Sequence, residues 1–257
     1  MEKSFEFLMK NILFVAAHPD DELVGATFII KNLLQKKNII IFFLTNGVIS
    51  KEEMWFWNKK KYKEKKKIRD EEMKKSLKLL GIKKFFKQDI PTRKLKENIE
   101  RTFEKINLLV KDHKIDTIFC PAYEGGHQDH DVSNFICSRL RNSTEVYEYA
   151  EYNFSKGRIN CNKFVKSTKN EITIKLSEKE KKEKIKFLKI YNSEKGNLNY
   201  LHLNEECYRK IYNYDYTKPP HHGKLFYRRF SFFSWHPRVD SDTPEIVIKK
   251  IVNSEIF

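Results

Sequence analysis

The sequence predicts an α/β fold, a mostly parallel sheet with helices on both faces, and three observations carry that expectation. Predominantly apolar runs at residues 11–17, 39–45 and 115–120 have the length and composition of buried strands. Segments whose apolar residues recur at helical spacing alternate with these runs. Pro19, the Asn46-Gly47 pair and Gly81 punctuate the transitions.

Taken in order, Ile12-Leu13-Phe14-Val15-Ala16-Ala17 is the first strand and ends at a Pro-containing polar turn. Residues 22–35 place Leu23, Ala26, Ile30, Leu33 and Leu34 on one helical stripe, and residues 39–45 form a second buried strand ending in Thr45-Asn46-Gly47. A long helix is predicted over 59–80, with Ile68, Met73, Leu77 and Leu80 on its apolar side and Gly81 suited to its left-handed terminus. A short strand at 82–86, a helix at 95–110, a strand at 115–120 and a helix at 132–140 continue the alternation, which is Rossmann-like. Beyond about residue 150 the pattern weakens. Residues 171–176 alternate like a strand, and Ser177-Glu178-Lys179-Glu180 is a capping box opening a helix to about residue 192. Residues 199–238, rich in Tyr, Phe and His, look like loops and short elements over a site. The expected organisation is one domain, 1–257, with an α/β core at 1–150 and an elaborated, substrate-covering part at 151–257.

The chain's 257 residues suffice for one large core. The first ten residues lack the pattern of a signal peptide, and the longest apolar stretch, 38–44, is strand-sized, so a soluble, cytoplasmic protein without a transmembrane segment is expected. Cys120, Cys137, Cys161 and Cys207 have neither zinc-finger nor redox-motif spacing, which predicts reduced, mostly buried thiols. The formal charge of +16 would suit a polyanionic partner. The excess is mostly lysine, however, and its densest cluster, residues 59–67, is predicted to be a solvated helix face. No recognised reader motif accompanies it, so no nucleic-acid partner is expected.

Two segments carry chemistry. Ala17-His18-Pro19-Asp20-Asp21-Glu22 stands between a predicted strand and helix, where open parallel sheets bind ligands. Alone it could be a polar turn with a helix cap. Gly126-His127-Gln128-Asp129-His130 follows another predicted strand end, and two histidines three residues apart at a helix start can converge on one ion. If the two strands are neighbours, the loops meet. Two imidazoles and one carboxylate then make a recurring catalytic zinc arrangement with an open position.

Together these segments resemble the two signatures of the PIG-L/LmbE-like superfamily of zinc-dependent de-N-acetylases, a His-Pro-Asp-Asp-Glu run after the first strand and a later His-x-x-His. Thr45-Asn46-Gly47 is similar to the end of that family's second strand, with Asn46 where an acid often follows the Thr, and Arg69-Asp70-Glu71-Glu72 with Leu80-Gly81 resembles its Arg-x-x-Glu helix. The resemblance spans about residues 11–135. It implies that His18, Asp21 and His130 hold the metal, zinc with Fe2+ possible. It further implies Asp20 as general base, His127 as oxyanion stabiliser or proton donor to the departing amine, and Arg69 as a substrate contact. Glu22 would close its loop or cap the helix, and Asp129 and Asp131 would orient imidazoles or cap the helix they open. The implied activity is removal of an acetyl group from an N-acetylated sugar of N-acetylglucosamine type.

Outside the resemblance, His221 and His222 are candidate substrate-binding residues on a covering loop. Trp55, Phe56 and Trp57 suit either sugar stacking or the core. A basic polyanion-binding protein and a non-catalytic, metal-stabilised α/β protein are the competing readings.

Overall fold

Strands β1 (Asn11–Ala16), β2 (Asn38–Phe43), β3 (Lys84–Lys87), β4 (Thr117–Pro121) and β5 (Glu145–Tyr149) run parallel, in the spatial order β3-β2-β1-β4-β5. This computed structural model describes residues 9–198, 201, 203–233, 235–237 and 239–257. Residues 1–8, in the segment read above for a signal, and residues 199, 200, 202, 234 and 238 of the expected covering stretch lie outside the described residues. A two-stranded sheet follows β5, made of β6 (Tyr152–Asn153) and β7 (Asn160–Cys161). Then β8 (Ile172–Lys175) and β9 (Glu205–Lys210) extend the main sheet antiparallel, to the order β3-β2-β1-β4-β5-β9-β8.

Strand geometry sends successive side chains to opposite faces. Ile12, Phe14, Ile39, Ile41 and Phe43 therefore pack on one side, under α1 (Asp21–Val24), α2 (Thr27–Leu34) and α3 (Tyr62–Leu80), through Leu23, Ile29, Met73 and Leu77. Leu13, Val15, Ile40, Phe42 and Leu44 pack on the other, under α4 (Ile99–Asp112) and α5 (Gln128–Ser138), through Ile99, Ile106, Val132 and Phe135. Phe187 of α6 (Glu178–Leu188) joins the first layer, and Val247 and Ile251 of α7 (Pro244–Val252) the second. The fold is the expected mixed α/β layer structure, with helices on both faces.

Several boundaries differ for local reasons. The helix predicted over 22–35 is two helices, because the Glu206 carboxylate accepts from the Phe28 and Ile29 N–H groups and starts α2 afresh. α5 begins at Gln128, capped by the His127 ring, which draws His130 into its first turn. The capping box at Ser177 is present. β5 and β9 were not anticipated, and β9 lies within the stretch expected to be loops. The four cysteines are buried and free. Phe56 and Trp57 are exposed, which corrects the core alternative for the Trp55-Phe56-Trp57 cluster. No helix among the described residues is long and apolar enough to cross a membrane.

Candidate metal centre and active-site cavity

β1 and β4 are hydrogen-bonded neighbours running the same way, so the loops at their carboxyl ends meet. The β1 loop is held from within. His18 donates its N–H to Asp21 Oδ2 at 2.8 Å, Asp20 donates its own to Glu22 Oε2 at 3.0 Å, and Tyr191 and Ser76 donate hydroxyls to Glu22 Oε1. Glu22 thus closes the loop, as expected. Asp20 sits at φ 127°, a region disfavoured for residues with a Cβ, and such strain persists where the surroundings over-determine it.

Asp21 Oδ1, His18 Nδ1 and His130 Nε2 form a nearly equilateral triangle, with edges of 3.3 Å (His18–His130), 3.4 Å (His130–Asp21) and 3.5 Å (His18–Asp21). Tetrahedral ligands about 2.1 Å from one ion stand roughly 3.4 Å apart, so the three donors fit a zinc-sized divalent cation. His18 Nε2 meets Asp129 Oδ2 at 3.0 Å, and Asp129 also accepts the backbone N–H groups of Arg93 (2.7 Å) and Leu95 (3.3 Å). A carboxylate behind a ligating imidazole fixes its tautomer and orientation. His18, His127 and Asp129 could formally make a second donor group. There, however, the His18–Asp129 contact is a hydrogen bond and His127 Nδ1 is engaged by the Asp129 N–H at 3.0 Å, so this group supports the first.

The electrostatics are those of a site built for a cation. Burial alone would lower the pKa of His18, yet the Asp21 and Asp129 carboxylates raise it to about 10. Burial works against ionised Asp21, but His130 and His18 hold its carboxyl well below the usual range. A bound divalent ion would take the place of the proton that these carboxylates draw onto His18. Behind His130, Glu151 is buried with neither carboxylate oxygen hydrogen-bonded, Oε1 lying 3.8 Å from His130 Nδ1.

Asp20, His127 and Arg69 stand around this triangle and line one cavity of about 410 Å³ with His18 and Asp21. Burial raises the Asp20 carboxyl well above the ordinary range, with Arg69 pulling the other way. Burial and the neighbouring His18 push His127 well below its usual value, so its ring is neutral. Because its Nδ1 accepts the Asp129 N–H, the ring proton sits on Nε2. Arg69 is buried and engaged by the protein itself: Nη2 donates to Pro19 O and to Asp20 Oδ2 (3.1 Å), and the guanidinium lies 5.1 Å from the Tyr191 ring centroid. It also lines the cavity, so this hold on Asp20 leaves the expected substrate contact open to it. Gly47, at φ 71°, leaves room for it, since a Cβ there would stand 2.7 Å from Arg69 Nε. Asn46 is buried behind the cavity and donates to Asp89 Oδ1 at 2.9 Å; the acid in this network comes from the neighbouring segment.

His221 and His222, expected to bind substrate, are not among the residues that line the cavity. His221 Nδ1 is 2.8 Å from the backbone oxygen of His222, and the covering residues come from further along, Phe226, Tyr227 and Arg229 among them. Tyr152, Arg93 and Asp240 also line the cavity and went unnoticed in the sequence. Only an aromatic density without periodicity pointed to the 226–230 segment, and nothing local marked the others. The loops are close-packed here: a Cβ on Gly126 would meet the Tyr152 carbonyl oxygen at 2.3 Å, which leaves only glycine before His127.

Residues 13–140 match the family model described as PIG-L: GlcNAc-PI de-N-acetylase. No curated protein matches the chain. Among solved structures, a deacetylase of teicoplanin biosynthesis is similar with a TM-score of 0.62 and 11% identity, covering 80% of this chain and 99% of that one. N,N'-diacetylchitobiose deacetylase from Pyrococcus horikoshii is similar at 0.57 and 17% identity, over 80% and 85% of the two chains. GalB, the 4-carboxy-2-hydroxymuconate hydratase of Pseudomonas putida, is similar at 0.50 and 13% identity, over 80% and 98%. At such identities the likeness is one of fold, and a hydratase beside two deacetylases shows that the scaffold alone does not set the reaction.

Proposed function

The chain belongs, through residues 13–140, to the PIG-L family of de-N-acetylases, and on that premise we propose that it is a metal-dependent hydrolase removing the acetyl group of an N-acetylated sugar, of N-acetylglucosamine type. The observation that carries this reading is the triangle of His18, Asp21 and His130, with Asp20 and a neutral His127 beside it on the wall of one cavity. A divalent ion there, Zn2+ or Fe2+, would acidify a water molecule and polarise the amide carbonyl.

The protein's own groups supply the rest. Asp20 takes the proton of the attacking water; burial raises its basicity and Arg69 keeps its carboxylate turned into the cavity. His127 donates from Nε2 to the oxygen that gains negative charge as the carbonyl carbon becomes tetrahedral. The proton held by Asp20 then passes to the amine nitrogen as the C–N bond breaks, leaving acetate and a free amino sugar. Phe226, Tyr227 and Arg229, from the C-terminal half, cover the sugar.

The test is acetate release by zinc-loaded and iron(II)-loaded protein from a panel of N-acetylglucosaminides that differ in aglycone. Turnover of at least one class is expected. If metal-loaded protein released no acetate from any of them, the sugar assignment would fall.

A further inference from the structure

All three tryptophans of the chain, Trp55, Trp57 and Trp235, gather beside the cavity mouth. Trp55 stacks on Trp57 at 5.0 Å between ring centroids, Phe56 meets Trp57 edge-on at 4.7 Å, and Trp235 lies 6.2 Å from Trp55. The cluster faces outward: Phe56 is 76% exposed, Trp57 55%, Phe232 89% and Trp235 67%, with Phe230 and Phe233 exposed next to them. Apart from Phe257, every strongly exposed Phe or Trp among the described residues is on these two segments. Met54, Phe230 and Pro237 join the cluster to the cavity wall, whereas Phe56, Phe232 and Trp235 lie outside that wall.

An apolar patch of this kind on a chain with a large net charge needs an occupant. Its charge surroundings narrow the choice. The short helix that starts with Phe56 and Trp57 ends in Lys59, Lys60 and Lys61, and Lys65 and Arg229 line the adjoining cavity. Of the acids just before it, Glu53 is tied to Arg93 and Lys94, which leaves Glu52 as the exposed counter-charge. A second copy across a two-fold axis would bring this lysine run against itself. A surface that is apolar in depth and negative on top satisfies both features at once, as at a bilayer interface carrying anionic headgroups.

We propose that the aromatic residues at 55–57, 230–233 and 235, together with Lys59, Lys60 and Lys61, dock this protein peripherally on an anionic lipid bilayer, with the cavity mouth toward the membrane. The docking is independent of the reaction proposed above and is read by binding, not turnover.

Because every tryptophan is in the patch, intrinsic fluorescence reports on it alone. With the full-length, metal-loaded protein, phosphatidylcholine vesicles containing phosphatidylglycerol should shift the emission to the blue, and brominated acyl chains should quench it; pure phosphatidylcholine should do neither. F56S/F232S, which keeps every tryptophan, and K60E/K61E should each lower vesicle affinity about tenfold or more, with an unchanged thermal midpoint showing that both are folded. No spectral change with anionic vesicles, or equal binding by wild type and F56S/F232S, would overturn the proposal. So would a wild-type dimer in sedimentation velocity that F56S/F232S turns into a monomer, since the patch would then be a self-interface.

Discussion

Asp20 and Asp21 are neighbours in sequence to which the proposed reaction gives separate tasks, and their carboxylates part at one unusual backbone angle. At φ 127°, Asp20 turns its carboxylate to Arg69, while Asp21 points inward to His18 and His130. Removing the base without touching the ligands should therefore divide the two functions. Asp20→Asn is expected to retain one equivalent of metal by elemental analysis and to lose roughly 10²- to 10⁴-fold in kcat. His130→Ala is expected to lose the metal itself, and the opposite pattern would reverse the roles assigned here. Arg69→Lys keeps a charge but not the two-pronged donor, so it should keep its metal and lower kcat less than Asp20→Asn does. The convergence of His18, Asp21 and His130 was legible in the sequence because they stand in two short runs at strand ends, whereas Arg69 comes from within α3. Glu151 and Arg93 were not legible. Glu151 sits two residues past a strand with no motif around it, and Arg93 reaches Asp129 through its backbone N–H, a contact no side-chain type announces.

At the scale of elements, β1, β2 and β4 were legible because both of their faces are apolar and buried, and β5 and β9 were missed because acidic and basic residues interrupt them. In β9, Glu-Glu-Cys-Tyr-Arg-Lys reads as surface, yet this strand lies inside the sheet between β5 and β8. Its two inner charges are buried in pairs: Glu206 with Lys184 at 2.6 Å, and Arg209 with Glu148 at 2.7 Å. Glu206 also receives the first N–H groups of α2, at 2.8 and 3.0 Å, so one carboxylate joins β9, α6 and the helix that follows the metal loop. Breaking that pair from the lysine side leaves a buried carboxylate without its counter-ion. Lys184→Met should cost about 3–5 kcal/mol in urea denaturation. The double variant Lys184→Met/Glu206→Gln should recover much of that loss, because the amide oxygen can still accept from α2 while no charge is stranded. If the double variant were no more stable than the single one, the cost would lie in packing, not in the orphaned charge.

For the whole molecule, the division between scaffold and site predicts what an ion does to stability. The sheet is covered by two separate apolar layers built from strand and helix residues, and neither layer includes His18, Asp21 or His130. The fold is therefore expected to stand without the ion, unlike small domains whose folding energy is the metal's. The ion does have something to offer locally, since burial and neighbouring carboxylates hold Asp20 and Glu151 well above the usual carboxylate range in its absence. Free metal at about 100 times its dissociation constant adds about 2.7 kcal/mol. In a chain of this size that corresponds to a thermal midpoint higher by roughly 5–10 °C. Chelation should accordingly lower the midpoint by that amount, abolish acetate release, and leave the far-ultraviolet circular dichroism unchanged at 25 °C, with activity returning when metal is restored. A chain that unfolded on chelation would instead be the metal-stabilised α/β protein of the competing reading, with the ion as a structural part. A chain whose midpoint did not move would show that the His18–Asp21–His130 triangle does not bind the ion in solution.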